Sequence, residues 1–225
     1  MNNLKEWFNS LLDIFYPPKC PFCRNYTPKR NFFCDNCLNK DIKDFKIEKI
    51  DIANYSLLYL DSCFSICDYD KQIRKIIINL KFHDKKNNAI CLTQLLDKKA
   101  YNFFKNIDYV VPVPLSEKRL QTRGFNQTEL IFKDWATKEN LIWFDILKRV
   151  RETKPQWQLN LNERKANIKN AFAIKDTPEK TLIKNKTILL VDDIFTSGQT
   201  MQECAKALKK AGAKKVIGFS VSKTQ

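Results

Sequence analysis

The chain has 225 residues, 44% of them hydrophobic, with 40 Lys plus Arg against 25 Asp plus Glu and a formal net charge of +15. That apolar share supplies the core of one ordinary domain plus a small module, which excludes an intrinsically disordered chain. One histidine rules out a histidine-rich metal site and argues against a Ser-His-Asp triad, and no segment reaches the length of a transmembrane helix.

In chain order, Leu4, Trp7, Phe8, Leu11, Leu12 and Phe15 share one face of a short helix. We read that face as docking on the body of the protein, with membrane-surface contact as the alternative. Glu6 and Asp13 interrupt the stretch and no cleavage pattern follows, so it does not read as a signal peptide. Next come Cys20-Pro-Phe-Cys23 and Cys34-Asp-Asn-Cys37, two C-x-x-C pairs ten residues apart. Such knuckles can place four thiolates tetrahedrally around structural zinc; iron and redox disulfides are the alternatives. Metal binding worth roughly 10–16 kcal/mol would supply the folding energy that so small a segment lacks. Phe22, Tyr26, Phe32 and Phe33 either pack this module or stack on bases of a single strand. Cys63, Cys67, Cys91 and Cys204 are scattered among apolar residues and read as buried thiols of a cytoplasmic protein.

The middle of the chain says less. Residues 55–69 alternate as two short strands with Asp61-Ser62 near the turn, and residues 72–82 and 89–104 have helical periodicity. His83, beside Asp84 and Lys85, reads as a surface residue.

Residues 108–127, DYVVPVPLSEKRLQTRGFNQ, form a strand ending near Val113, a loop limited by Pro114, and a basic segment entering a helix. Lys118, Arg119 and Arg123 offer charge to a polyanion, Gly124 allows close approach, and Asn126 and Gln127 add amide donors. Residues 149–172 are long, polar and basic. Residues 187–200, TILLVDDIFTSGQT, run from a buried strand into Asp192 and Asp193 and then a short loop before a helix. Thr196, Ser197 and Thr200 supply hydroxyls, Gly198 permits a tight turn, and the helix end offers free N–H groups to an anion. Two carboxylates beside a phosphate site make sense if the ligand also carries hydroxyls or Mg²⁺. Met201, Cys204, Ala205, Leu208 and Ala211 continue at helical spacing, Gly212 sits at the C-cap, and residues 214–221 read as the next strand.

Asp192, Asp193, Ser197, Gly198 and Thr200 resemble the phosphoribosyl-pyrophosphate (PRPP) signature of type I phosphoribosyltransferases, with Gln199 bulkier than the usual residue at its place. With residues 108–127 and the cysteine cluster, the chain is similar to the ComF family of competence proteins (ComFC and its GntX-like relatives). Arg151, Gln156, Arg164, Asn167 and Phe172 match that family's flexible loop, and Tyr69, Lys81 and Phe82 its hood. The resemblance implies an α/β type I phosphoribosyltransferase-like core with a parallel sheet and a small zinc-ribbon-like module of four cysteines. The implied layout is a helix and zinc module at 1–45, a connecting hood region at 46–106 and the core at 107–225.

It further implies that Asp192 and Asp193 hold ribose hydroxyls or magnesium-bound water. Thr196, Ser197, Gly198, Gln199 and Thr200 would hold the 5′-phosphate, and the loop from Val113 and Pro114 to Arg119 and Arg123 the pyrophosphate. Arg151 would sit in a loop that closes over PRPP. The implied role is in natural transformation, handling incoming single-stranded DNA with other competence proteins. The enzymatic reading is ribosyl transfer to an unidentified acceptor; the competing one is a PRPP-responsive or vestigial binding module. Of the 40 basic residues 32 are Lys, a weak pointer to DNA, whereas five of the eight Arg lie in the two candidate ligand loops.

Overall fold

The computed structural model describes residues 13, 16–82, 86–151 and 167–224. The expected N-terminal apolar face, His83, and Gln156 and Arg164 of the polar excursion lie outside the described residues. The chain divides into two compact units, Met1–Phe45 and Lys46–Gln225.

In the first unit a bridge between Lys19 and Tyr26 brackets the first cysteine pair. The chain turns there because Arg24 adopts φ +71°. Its N–H donates to the Cys20 carbonyl at 2.9 Å. The second pair sits at the start of helix α1 (Asp35–Asn39), with Cys34 as the N-cap and Cys37 buried.

The second unit is built on a six-stranded sheet. Its strands are β1 (Glu48–Ile50), β2 (Ser62–Asp68), β3 (Tyr109–Pro112), β4 (Ile142–Trp143), β7 (Thr187–Phe195) and β8 (Lys215–Lys223). The order is β1-β2-β8-β7-β3-β4. Only the β1–β2 pairing is antiparallel. Ile188, Leu189, Leu190 and Val191 are fully buried, the expected fate of an apolar run covered on both faces. Helices α2 (Lys71–Phe82), α3 (Asn88–Lys99), α4 (Glu117–Arg123), α5 (Gln127–Lys138) and α6 (Gln199–Lys210) connect the strands. A separate antiparallel ribbon joins β5 (Leu147–Arg149) to β6 (Phe172–Ile174).

Two local expectations are corrected. The hairpin expected within 55–69 is formed by β1 and β2, farther apart in the chain. Residues 52–55 turn instead, because the Asp51 carboxylate accepts from the Ala53 N–H at 3.1 Å and Ser56 takes φ +53°. Helix α3 ends at Lys99, short of residue 104, where Asn102 adopts φ +54°. That turn releases Phe104 to pack on Phe219, 4.7 Å between ring centroids. Asp192 and Asp193 lie inside β7, which continues to Phe195.

β3 and β7 are neighbours, yet the chain leaves β3 toward β4 on one side and leaves β7 toward β8 on the other. The winding therefore reverses between them. The crevice beyond their C-terminal ends is where such sheets bind ligands.

Candidate functional site

Each element around that crevice is set by a local device. Ser116 caps α4, its hydroxyl accepting from the Arg119 N–H. Gly124 ends the helix at φ +74°. Asn126 then caps α5 by accepting from the Thr128 N–H at 3.0 Å. Its amide also donates to the Val113 carbonyl at 3.2 Å, which ties the basic segment back to the end of β3. Arg123 donates to the Gln127 side chain. Burial lowers the Arg123 pKa, while the facing Asp193 works against that shift.

The two carboxylates have different partners. Asp192 Oδ1 accepts from the Asp193 N–H at 2.9 Å and from the Thr128 hydroxyl at 3.4 Å. Asp193 is buried and meets the Lys81 ammonium of α2, Nζ to Oδ2 2.5 Å. Burial and the adjacent Asp193 charge push the Asp192 carboxyl well above the usual carboxylate range. Burial would raise Asp193 as well, but Lys81 outweighs it and holds that carboxyl below its ordinary value. The pair is thus asymmetric: proton affinity is raised at Asp192 and lowered at Asp193.

Beyond β7 the loop 196–198 leads into α6, with Gln199 and Thr200 in its first turn. Gly198 holds φ +69°, and a Cβ there would lie 2.4 Å from Leu57 Cδ1 and 2.8 Å from the Phe195 ring. Leu57 stands in the segment before β2, which is fastened to α6 by the Tyr59 N–H donating to the Gln202 side chain at 3.1 Å. The Ser197 hydroxyl is buried and has no hydrogen-bond partner among the described residues. A buried, unsatisfied hydroxyl beside a helix N-terminus in a turn that rejects a Cβ suits a phosphate oxygen.

The structure therefore ties Val113, with Pro114 next in the chain, to the segment of Arg119 and Arg123, sets Arg123 within electrostatic reach of Asp193, and runs residues 196–200 on from the strand that carries Asp192 and Asp193. Arg151 is engaged elsewhere: its guanidinium donates to the carbonyls of Asn167 (2.8 Å) and Lys169 (2.9 Å), clasping the ends of the polar excursion. Arg149 lies over the Phe172 ring at the same ribbon. Sequence reasoning passed over Thr128, Leu57 and Gln202 and gave Lys81 no role. The position of Thr128 just after an N-cap is a usable signal, but no local pattern links Leu57 to Gly198.

In the first unit, Cys20, Cys23, Cys34 and Cys37 place their sulfurs within 4.8 Å of one another. Cys20 and Cys37 are 3.8 Å apart, Cys23 and Cys34 3.6 Å. A Zn–S bond of about 2.3 Å in a regular tetrahedron requires sulfurs about 3.8 Å apart, so the four thiolates fit zinc. All four positions come from protein, which makes the site structural.

A mostly parallel sheet with an acidic pair and a glycine turn at its switch point is the arrangement of a phosphoribosyltransferase-type domain, and the chain also carries a zinc ribbon. The phosphoribosyl transferase domain family matches residues 144–222, and the double zinc ribbon family residues 11–44. The chain belongs to the ComF family of competence proteins. It is 31% identical to DNA utilization protein YhgH of Salmonella typhi over 71% of each chain. It is 29% identical to Competence protein F of Haemophilus influenzae over 90% of this chain and 95% of that one. It is 36% identical to Competence protein ComFC of Streptococcus pneumoniae over 70% of this chain and 66% of that one. Among solved structures, the allosteric regulatory enzyme of purine biosynthesis aligns at 19% identity and TM-score 0.36, over 60% of this chain and a quarter (25%) of that one. Among the described residues no helix is long and apolar enough to cross a membrane.

Proposed function

We propose that the crevice binds PRPP with magnesium, and that this PRPP-binding protein serves natural transformation by handling incoming single-stranded DNA in the cytoplasm. One observation carries the PRPP reading: the Ser197 hydroxyl, buried with no hydrogen-bond partner among the described residues, and the Cβ-intolerant turn at Gly198 lie just beyond Asp192 and the buried Asp193. In this reading residues 196–200 take the 5′-phosphate through hydroxyls and the first N–H groups of α6. Asp193 accepts from a ribose hydroxyl, and Asp192, with its raised pKa, can accept or donate. Arg119 and Arg123 face the pyrophosphate. Magnesium would neutralise pyrophosphate charge as that group leaves. Charge developing on the ribose would be stabilised by the fixed carboxylates, so no protein nucleophile is required.

The test is calorimetric titration of Mg²⁺–PRPP into the wild-type protein and into Asp192→Asn. Heat of binding in the wild type, lost or weakened at least tenfold in the variant, is the expected result. Equal binding to both would overturn the role of Asp192, and no binding to either would leave a scaffold for DNA or protein partners. The net charge of +15 is the observation that favours this second reading. In that case single-stranded DNA binding should be salt-dependent and indifferent to Asp192→Asn.

A further inference from the structure

The ion pair between Lys81 and Asp193 comes from outside the strand, the phosphate turn and the basic segment that make up the crevice. Lys81 is the penultimate residue of α2. Its side chain is 19% exposed and that of Asp193 4%, so the contact is largely shielded from water. Other groups face it too: Arg123 from α4 acts on Asp193, and Tyr69 lies within electrostatic reach of both Lys81 and Asp193. Asp192, one residue away, meets no ammonium at hydrogen-bond distance among the described residues and is held by Thr128 and the Asp193 N–H.

Two adjacent ionised carboxylates would form a ready site for a bare divalent cation, since hard cations select oxygen ligands and negative charge. An ammonium at 2.5 Å occupies one Asp193 oxygen and cancels one unit of charge. What is left is poor as an inner-sphere cation site, but keeps oxygen lone pairs for neutral hydroxyl groups. We propose that Lys81 is a positioning and specificity residue: it fixes Asp193 and turns the carboxylate pair from a divalent-cation site into a sugar-hydroxyl site. This rests on the proposed ligand only for the identity of the sugar; the exclusion of bare cations stands without it.

The test uses Mn²⁺ alone, followed by the electron paramagnetic resonance signal of the free ion, with zinc-loaded wild-type protein, Lys81→Arg and Lys81→Gln. Wild type and Lys81→Arg should leave Mn²⁺ free at millimolar concentration. Lys81→Gln keeps a donor to Asp193 but removes the charge, and should bind Mn²⁺ at least tenfold more tightly. Wild type binding as tightly as Lys81→Gln, or a folded Lys81→Gln binding no more tightly than wild type, would overturn the proposal. Should Lys81→Gln be isolated unfolded, Mn²⁺ should restore its folding by replacing the ammonium, with no shift in the wild-type melt. Failure of that rescue also overturns it. No arm contains PRPP, so a failed titration with that ligand and a failed cation test point to different errors.

Discussion

Gly198 is where a single methyl group would be felt most. A side chain there meets both a left-handed backbone and the Leu57 and Phe195 side chains. Gly198→Ala should destabilise the protein by about 2–4 kcal/mol, read as a lower urea midpoint at unchanged slope. Leu57→Ala in the same background should recover part of the loss, because it clears one of the two contacts while the backbone strain remains. An unshifted midpoint would mean that the turn relaxes freely. The requirement for glycine was legible from the Ser-Gly-x-Thr pattern; the reason was only half legible. The local turn is written in adjacent residues, whereas the wall that closes it comes from Leu57, which no periodicity connects to position 198. Lys81 teaches the same lesson: its match to the family's hood marked the position, but only the fold shows that its ammonium meets Asp193.

The elements show which signals survive folding. The runs that became β7 and α6 carried their own evidence, an apolar stretch, paired acids and 3.6-residue spacing; α6 was read with nearly its observed bounds, while β7 runs past the acidic pair to Phe195. The hairpin was misplaced because Tyr55 to Tyr69 alternates for a different reason: Leu57 and Leu60 are buried from an irregular segment closed by Asp51. β3 and β7 are joined at their starts by Asp108, whose carboxylate accepts from the Thr187 N–H and from Lys186 Nζ, both at 2.8 Å. The Lys186 contact, with the Thr187 N–H, holds the Asp108 carboxyl below its ordinary value. A carboxyl depressed in the folded state stabilises above its unfolded value, near ~3.9, and loses that contribution as pH falls through the folded one. The stability gap between wild type and Asp108→Asn should therefore be about 1 kcal/mol near neutral pH and should shrink below about pH 4. Denaturant melts at a series of pH values measure it, and a gap independent of pH would remove the carboxylate's charge from the account.

At the scale of the whole molecule, two compact units are held together internally by different physics. The unit of residues 46–225 has a sheet buried on both faces, with Phe132, Trp135 and Phe219 among its fully buried side chains. Among the described residues of the unit 1–45 few apolar side chains are buried, Phe33 and Ile42 among them, around four sulfurs placed for zinc. A strong chelator should abolish amide-exchange protection around α1 while leaving β7 and β8 protected. Loss of protection in both would mean that the metal supports the entire chain, and loss in neither that the sulfurs hold no metal that matters to folding. The charge balance gave a broad pointer to polyanions at this scale, but where the lysines cluster is a property of the folded surface that composition does not contain.

The strand order also sets a schedule. β2 joins the rest of the sheet through β8, which lies between it and β7. β8 is translated after every other strand of that sheet, so β1 and β2 must wait, unpaired on that side, through the synthesis of all the intervening chain. A nascent chain on the ribosome thus carries an open β-edge and an unfinished crevice until β8 has emerged, and the site can assemble only after that strand is made.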